Sequence, residues 1–249
     1  MKIAVAGKGG TGKTTISALL LRYLIEKKAG AVLAVDADPN SNLGEALGAQ
    51  PQKTIGQVID GVAKDPDKIP AGMTKDRFIE YEVQTILQEG RGFDLLTMGK
   101  PEGPGCYCYV NNVLRGVLER LEKGYELVVI DNEAGLEHLS RKTTGIADCL
   151  LVISDPSAAG LRAAARINLL VDELKLKIGA RYLIINRGVP GVPPVTSGPE
   201  YAGMVPDDPA VSLMGRENRP VFTLETSSPA FIAVREIMDA IFAKARRQA

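Results

Sequence analysis

Nine consecutive residues concentrate the chemistry of this chain: Gly7-Lys8-Gly9-Gly10-Thr11-Gly12-Lys13-Thr14-Thr15. They follow the apolar stretch Ile3–Ala6 and satisfy the spacing G-x-x-x-x-G-K-[ST]. Glycines let successive backbone N–H groups turn inward around a phosphate, and the helix that follows points its positive end at the same place. In such a loop Lys13 bridges the β- and γ-phosphates and the Thr14 hydroxyl ligates Mg²⁺. The spacing therefore predicts a phosphate loop that binds ATP or ADP with Mg²⁺ and hydrolyses ATP.

The same residues also satisfy G-x-G-x-x-G through Gly7, Gly9 and Gly12, with Asp36 about 24 residues on, near where a dinucleotide ribose would want an acid. Three residues favour the nucleoside triphosphate. Lys13-Thr14 has no task in a dinucleotide fold. Asp131 ends another apolar run, where a water ligand of Mg²⁺ needs an acid. Lys8 would crowd a pyrophosphate turn. In a monomer Lys8 is a spare charge. In a face-to-face dimer it can reach the partner's nucleotide and neutralise charge developing on its phosphates, as an arginine finger does.

Cys106 and Cys108 sit in Pro101-Glu102-Gly103-Pro104-Gly105-Cys106-Tyr107-Cys108, read as a Gly/Pro loop between a strand and a helix. In extended chain, residues i and i+2 stand about 6.5–7 Å apart at Cα, at the limit for a disulfide, and their side chains point the same way. Metal–sulfur bonds of about 2.3 Å need sulfurs roughly 3.8 Å apart, within reach of modest loop folding. Two thiolates cannot close a metal site, but a two-fold dimer supplies four. Soft sulfur suits Zn²⁺, an iron–sulfur cluster or Ni²⁺, and the residues alone leave that choice open. The third cysteine, Cys149, opens an apolar run and reads as a small core residue. His138 is the sole histidine.

These groups need a scaffold, and the chain has the composition for one. It has 249 residues, 45% apolar and 24% charged, with 30 basic and 30 acidic side chains, so its net charge is zero. A neutral chain offers no global field for nucleic acid or anionic lipid. No apolar run reaches the roughly 18 residues of a membrane span. The start at Met1-Lys2 does not read as a signal peptide, and three cysteines do not make a disulfide framework, so a cytoplasmic setting is expected. Ile3–Ala6, Ala31–Val35, Leu95–Met98, Leu127–Ile130, Cys149–Ile153 and Tyr182–Ile185 read as buried parallel strands. Helical periodicity runs through Ile16–Leu24, Val110–Leu121 and Phe231–Phe242, the last after Ser228-Pro229, an N-cap and first-turn proline. Asp65–Lys75 and Gly188–Gly203 read as irregular loops. The alternation predicts one doubly wound α/β domain over residues 1–249.

The phosphate loop, Val35-Asp36-Ala37-Asp38-Pro39 and Val129-Ile130-Asp131-Asn132-Glu133-Ala134-Gly135 resemble the MinD/ParA/nitrogenase iron-protein class of dimeric ATPases, with its lysine-bearing deviant loop. Within that class, Gly105–Cys108 and the segment Asp131–Leu139 resemble the CooC group of carbon monoxide dehydrogenase accessory ATPases, which includes the related factor for acetyl-CoA synthase. The resemblance implies a homodimer promoted by nucleotide and metal. It implies that Asp38 orients the attacking water, that Asp131 holds Mg²⁺ through water, and that the Gly135 N–H meets the γ-phosphate. Asn186, just before Arg187, is similar to the adenine-reading Asn of the class, and Pro206-Asp207-Asp208 to its second adenine-side loop. It implies nickel at the cysteines, with zinc as a common occupant, delivered to an apo-metalloenzyme client. In this chain Asn132 stands where the class often has Thr. Two other readings are carried: an electron-donating ATPase with an iron–sulfur cluster, and a positioning ATPase of the MinD or ParA kind. The basic end 243–248 behind an amphipathic helix would suit the latter.

Overall fold

The apolar runs alternate, residue by residue, between two cores, which is why they are apolar throughout. Ile3 and Val5 enter one cluster with Leu127 and Val129, while Ala4 and Ala6 enter another on the opposite face. Leu33, Val35, Val128 and Ile130 likewise face away from Val32 and Ala34. A strand with both faces covered has no polar side to show. The structure, a computed structural model, describes residues 1–100, 107–134, 146–188 and 198–248, with backbone alone at 107, 108 and 248.

The strands are β1 (Lys2–Gly7), β2 (Val32–Ala37), β3 (Gln88–Glu89), β4 (Asp94–Thr97), β5 (Leu127–Asn132), β6 (Ile146–Ser154), β7 (Lys177–Gly188) and β8 (Glu200–Pro206). They form one sheet in the order β3-β4-β2-β5-β1-β6-β7-β8. Every neighbouring pair is parallel except β3–β4. This is the doubly wound, mainly parallel α/β sheet that the sequence predicts. The described helices are α1 (Lys13–Glu26), α2 (Asn42–Leu47), α3 (Ile55–Lys64), α4 (Lys75–Thr85), α5 (Tyr107–Leu121), α6 (Ala158–Glu173), α7 (Pro209–Arg216) and α8 (Pro229–Gln248). Helices α1, α2 and α8 cover one face; α3, α4 and α5 cover half of the other, and α6 the rest.

One expectation needs correction. The loop read as Gly188–Gly203 ends earlier, because Glu200–Gly203 belong to β8. This edge strand carries few β-branched residues, and Gly203 (φ +154°) coincides with a register shift against β7, so no apolar run announces it. The expected start of α8 holds: the Ser228 hydroxyl accepts the Phe231 N–H at 3.3 Å. The apolar stripe of α8, from Phe231 to Ile241, is spent on the sheet and α1. Near its end Lys244 pairs with Glu200 at 2.5 Å, and Phe242 stacks on Tyr23. No described helix is long and apolar enough to cross a membrane.

Arg22 locks α1 to α8. It is 3% exposed, its guanidinium lies 4.2 Å from the Phe231 ring centre, and Nη1 donates to the carbonyls of Val221 (3.0 Å) and Leu224 (2.6 Å). Replacing it with Met removes the charged donor from both buried carbonyls and leaves Val221 only the Leu224 N–H at 3.2 Å. Arg22→Met is expected to lower stability by about 2–4 kcal/mol in urea unfolding; an unchanged midpoint would contradict this.

Candidate nucleotide site

The carboxyl edges of β1, β2, β5, β7 and β8 meet at the glycine loop, as ligand sites do in open parallel sheets. Two glycines are required by contact. A Cβ at Gly7 would lie 2.3 Å from the Ile153 carbonyl oxygen, and one at Gly12 (φ +88°) 2.2 Å from the Asn186 amide nitrogen. Gly12 is the N-cap of α1 and no side chain caps this helix, whose first N–H groups face the loop. The Thr11 hydroxyl donates to the Lys8 carbonyl at 2.8 Å. From the end of β7, the Asn186 amide donates to the Thr11 carbonyl at 2.8 Å and Arg187, itself at φ +57°, to the Gly10 carbonyl at 2.5 Å.

On one side of the loop the structure gathers Lys13, Thr14, Asp36, Asp38 and Asp131. Asp36 and Asp131 are register partners on adjacent strands and are 0% and 1% exposed. Burial, and then the charge of Asp131, push the Asp36 carboxyl up to about 7, against hydrogen bonds from the Leu43 and Asp38 N–H groups. Burial pushes Asp131 up to about 6, against hydrogen bonds from the Thr14 and Ser17 hydroxyls and the charge of Lys13. Lys13 is buried, which lowers its pKa, while Asp131, Asp38 and Glu133 oppose that. Asp36 shapes the next turn: its two oxygens accept the Asp38 N–H (3.1 Å) and the Leu43 N–H (2.8 Å). One Asp38 oxygen accepts from the Asn40 backbone and side chain, at 2.8 and 2.9 Å.

The other side is a cleft of about 200 Å³ whose walls include Gly12, Thr15, Asn186, Arg187, Pro206 and Asp207. Sequence reasoning missed its far wall, Val211, Ser212 and Gly215 of α7. It also missed Ser17, whose buried hydroxyl donates to Asp131 at 3.0 Å; its place one turn after Thr14 was the available signal. Asp208, expected with Pro206 and Asp207 on the adenine side, is 5% exposed and caps α7 by accepting the Ala210 N–H at 2.9 Å. The replacement of Thr by Asn132 acquires a reason: the buried Asn132 amide donates to the Val5 carbonyl at 2.9 Å, stitching β5 to the strand that feeds the loop.

Lys8 and Gly9 are exposed on the outer rim of the loop. Gly135, Cys106 and His138 lie outside the described residues. Cys108 lies in the first turn of α5, so the extended spacing assumed for the cysteine pair does not hold at its second member. Among the described residues no group of three or more His, Cys, Asp and Glu side chains could hold a metal ion.

Sheet order, glycine loop and converging carboxylates define a P-loop ATPase. Residues 1–182 match a family model described as an AAA domain. The chain is 42% identical over 252 residues to an uncharacterized ATP-binding protein of Methanocaldococcus jannaschii, covering 98% of this chain and 99% of that one. It is 34% identical over 188 residues to the carbon monoxide dehydrogenase accessory protein CooC of Rhodospirillum rubrum, covering 71% of each. The septum site-determining protein MinD of Pyrococcus horikoshii, complexed with Mg-ADP, shares the fold with a TM-score of 0.70 at 23% identity, over 100% of this chain and 98% of that one. The chain belongs to this AAA-domain family, and its fold is the one it shares with MinD.

The buried carboxylates set a pH dependence. Between about pH 4 and pH 7 the folded chain, with Asp36 near 7 and Asp131 near 6, holds protons that the unfolded chain has released. Stability of the nucleotide-free protein is therefore expected to fall as pH rises through that window and to level off above it. Urea midpoints at pH 5 and pH 8 check this; a higher midpoint at pH 8 would contradict it.

Proposed function

We propose that this chain is an ATP-driven metallochaperone. Two copies close on nucleotide, grip one metal ion through Cys106 and Cys108 of each, and release it to an apo-enzyme of the carbon monoxide dehydrogenase or acetyl-CoA synthase type. The observation that carries this reading is a Cys-x-Cys pair in a chain 34% identical to CooC over 71% of both. Nickel is the expected cargo, with zinc as the other candidate.

The nucleotide is ATP or ADP with Mg²⁺, in keeping with the Mg-ADP of the MinD fold neighbour. The donor set fits that ion: the Thr14 hydroxyl and the Asp131 and Asp36 carboxylates are hard oxygens at one strand edge. Thr14 would hold Mg²⁺ directly and Asp131 through water, and the ion would neutralise charge on the β- and γ-phosphates. Lys13 bridges those phosphates, Asp38 orients the attacking water, and the Gly135 N–H meets the γ-phosphate. Asn186, Arg187, Pro206 and Asp207 frame the base, and Thr15 and the glycine N–H groups hold the inner phosphates. Lys8, exposed on the rim, reaches the partner's nucleotide. Loss of the terminal phosphate then releases two loops and reopens the dimer.

The MinD fold neighbour favours a second reading, a positioning ATPase that carries no metal. An iron–sulfur electron donor has less support, because Asp131–Leu139 contains no Cys.

Lys8→Ala is expected to keep nucleotide binding but lose turnover by about 10³-fold, the scale of an arginine finger, with Lys13→Ala as the inactive control. Full turnover in Lys8→Ala would overturn the role in trans. Elemental analysis is expected to find about one metal per wild-type dimer and none after Cys106→Ser with Cys108→Ser, ATP hydrolysis being retained. Unchanged stoichiometry would place the metal elsewhere, and a metal-free wild-type dimer would favour the positioning reading.

A further inference from the structure

Asp208 lines the base cleft, and its carboxylate joins two helices. One oxygen accepts the Ala210 N–H at 2.9 Å, the N-cap bond of α7. The other accepts the Ser228 hydroxyl at 2.6 Å and the Ala230 N–H at 3.2 Å, at the start of α8. Ser228 in turn caps α8 through the Phe231 N–H. A single buried anion thus serves the N-termini of both helices, where negative charge is stabilised by the N–H groups and the helix dipoles.

These helix starts bear on the cleft directly. Val211, Ser212 and Gly215 of α7 and Ala230 of α8 form the wall opposite Gly12, Thr15 and Leu19 of α1. The α1 side is fixed by the sheet and by the Asn186 and Arg187 bonds to the loop carbonyls. The α7 side is a helix of eight residues that buries only Met214. So little apolar anchorage leaves its position to the cap at its start, and that cap is shared with α8, a 20-residue helix seated in the core.

We infer that Asp208 is a positioning residue for base recognition: it moors the α7 wall to α8 and so sets the width of the slot that takes the nucleobase, while leaving the phosphate loop untouched. This rests on the reading of the cleft as the base site. The phosphate ligands lie across α1, on the Lys13, Thr14 and Asp131 side, and Asp208 bonds to none of them.

The test compares ATP with inorganic tripolyphosphate, both with Mg²⁺, by calorimetry on the full chain. Tripolyphosphate offers the phosphates without a base. Wild type is expected to prefer ATP. Asp208→Asn keeps the size but turns a donor toward one set of N–H groups, and is expected to weaken ATP binding by about ten-fold or more with tripolyphosphate affinity unchanged within about two-fold. Ser228→Ala, which cuts only the α8 side of the mooring, is expected to move ATP affinity in the same direction by less. Equal losses for both ligands, or no loss for ATP in Asp208→Asn, would overturn the positioning role while the base site stands. A wild-type chain that binds tripolyphosphate as tightly as ATP would overturn the reading of the cleft itself, and this inference with it.

Discussion

The burial of one ammonium group, that of Lys13, among carboxylates is the constraint around which the upper edge of the sheet is arranged. Burial lowers the Lys13 pKa; the charges of Asp131, Asp38 and Glu133 oppose that. Those acids come from the ends of β2 and β5 and the turns beyond them, so the strand order, with β5 between β2 and β1, is what lets them meet at one point. The acids are themselves costly to bury, and Asp36 and Asp131 show it in their raised pKa values. Each is held by hydrogen bonds from Ser17, Thr14 or backbone N–H groups. The site is thus a balance of charges that separately oppose burial, and a polyanion with its cation fits that balance.

Much of this was legible because the signals were strong and local. The central strands carry unbroken apolar runs, since both faces are covered, and the glycine loop has a spacing that few other structures require. The residues that were legible only in part are those whose roles depend on partners distant in sequence. Ser17 is an ordinary helix residue until Asp131, 114 positions on, comes beside it. Asn132 looks like a departure from a pattern until its amide meets Val5 on a neighbouring strand. Asp208-Pro209 has the local form of a helix start, yet the second half of its work is done on Ser228 and Ala230.

The edges were harder for a different reason. Strand β8 is covered less completely and contains Ala202, Gly203 and Met204 rather than a β-branched run, so its sequence resembles the loop before it. Helices α3 and α4 begin at Thr54 and Thr74, whose hydroxyls accept the N–H groups of Gln57 and Arg77. These caps are visible in the sequence but lie among polar residues that blur the helical period. The amphipathic stripe on α8, behind which the basic end lies, is consumed by packing on the sheet and α1, with Phe242 stacked on Tyr23.

The bonds from Asn186 and Arg187 to the carbonyls of Thr11 and Gly10 act as a splint on the glycine loop. Glycine-rich backbone is the kind that loses most entropy when it is ordered. Here that loss is met during folding, by residues some 175 positions away in the chain, and not at the moment of ligand capture. Arrival of a triphosphate then calls for little rearrangement of the cradle, and the free energy of its binding is left available to move the parts that are not splinted.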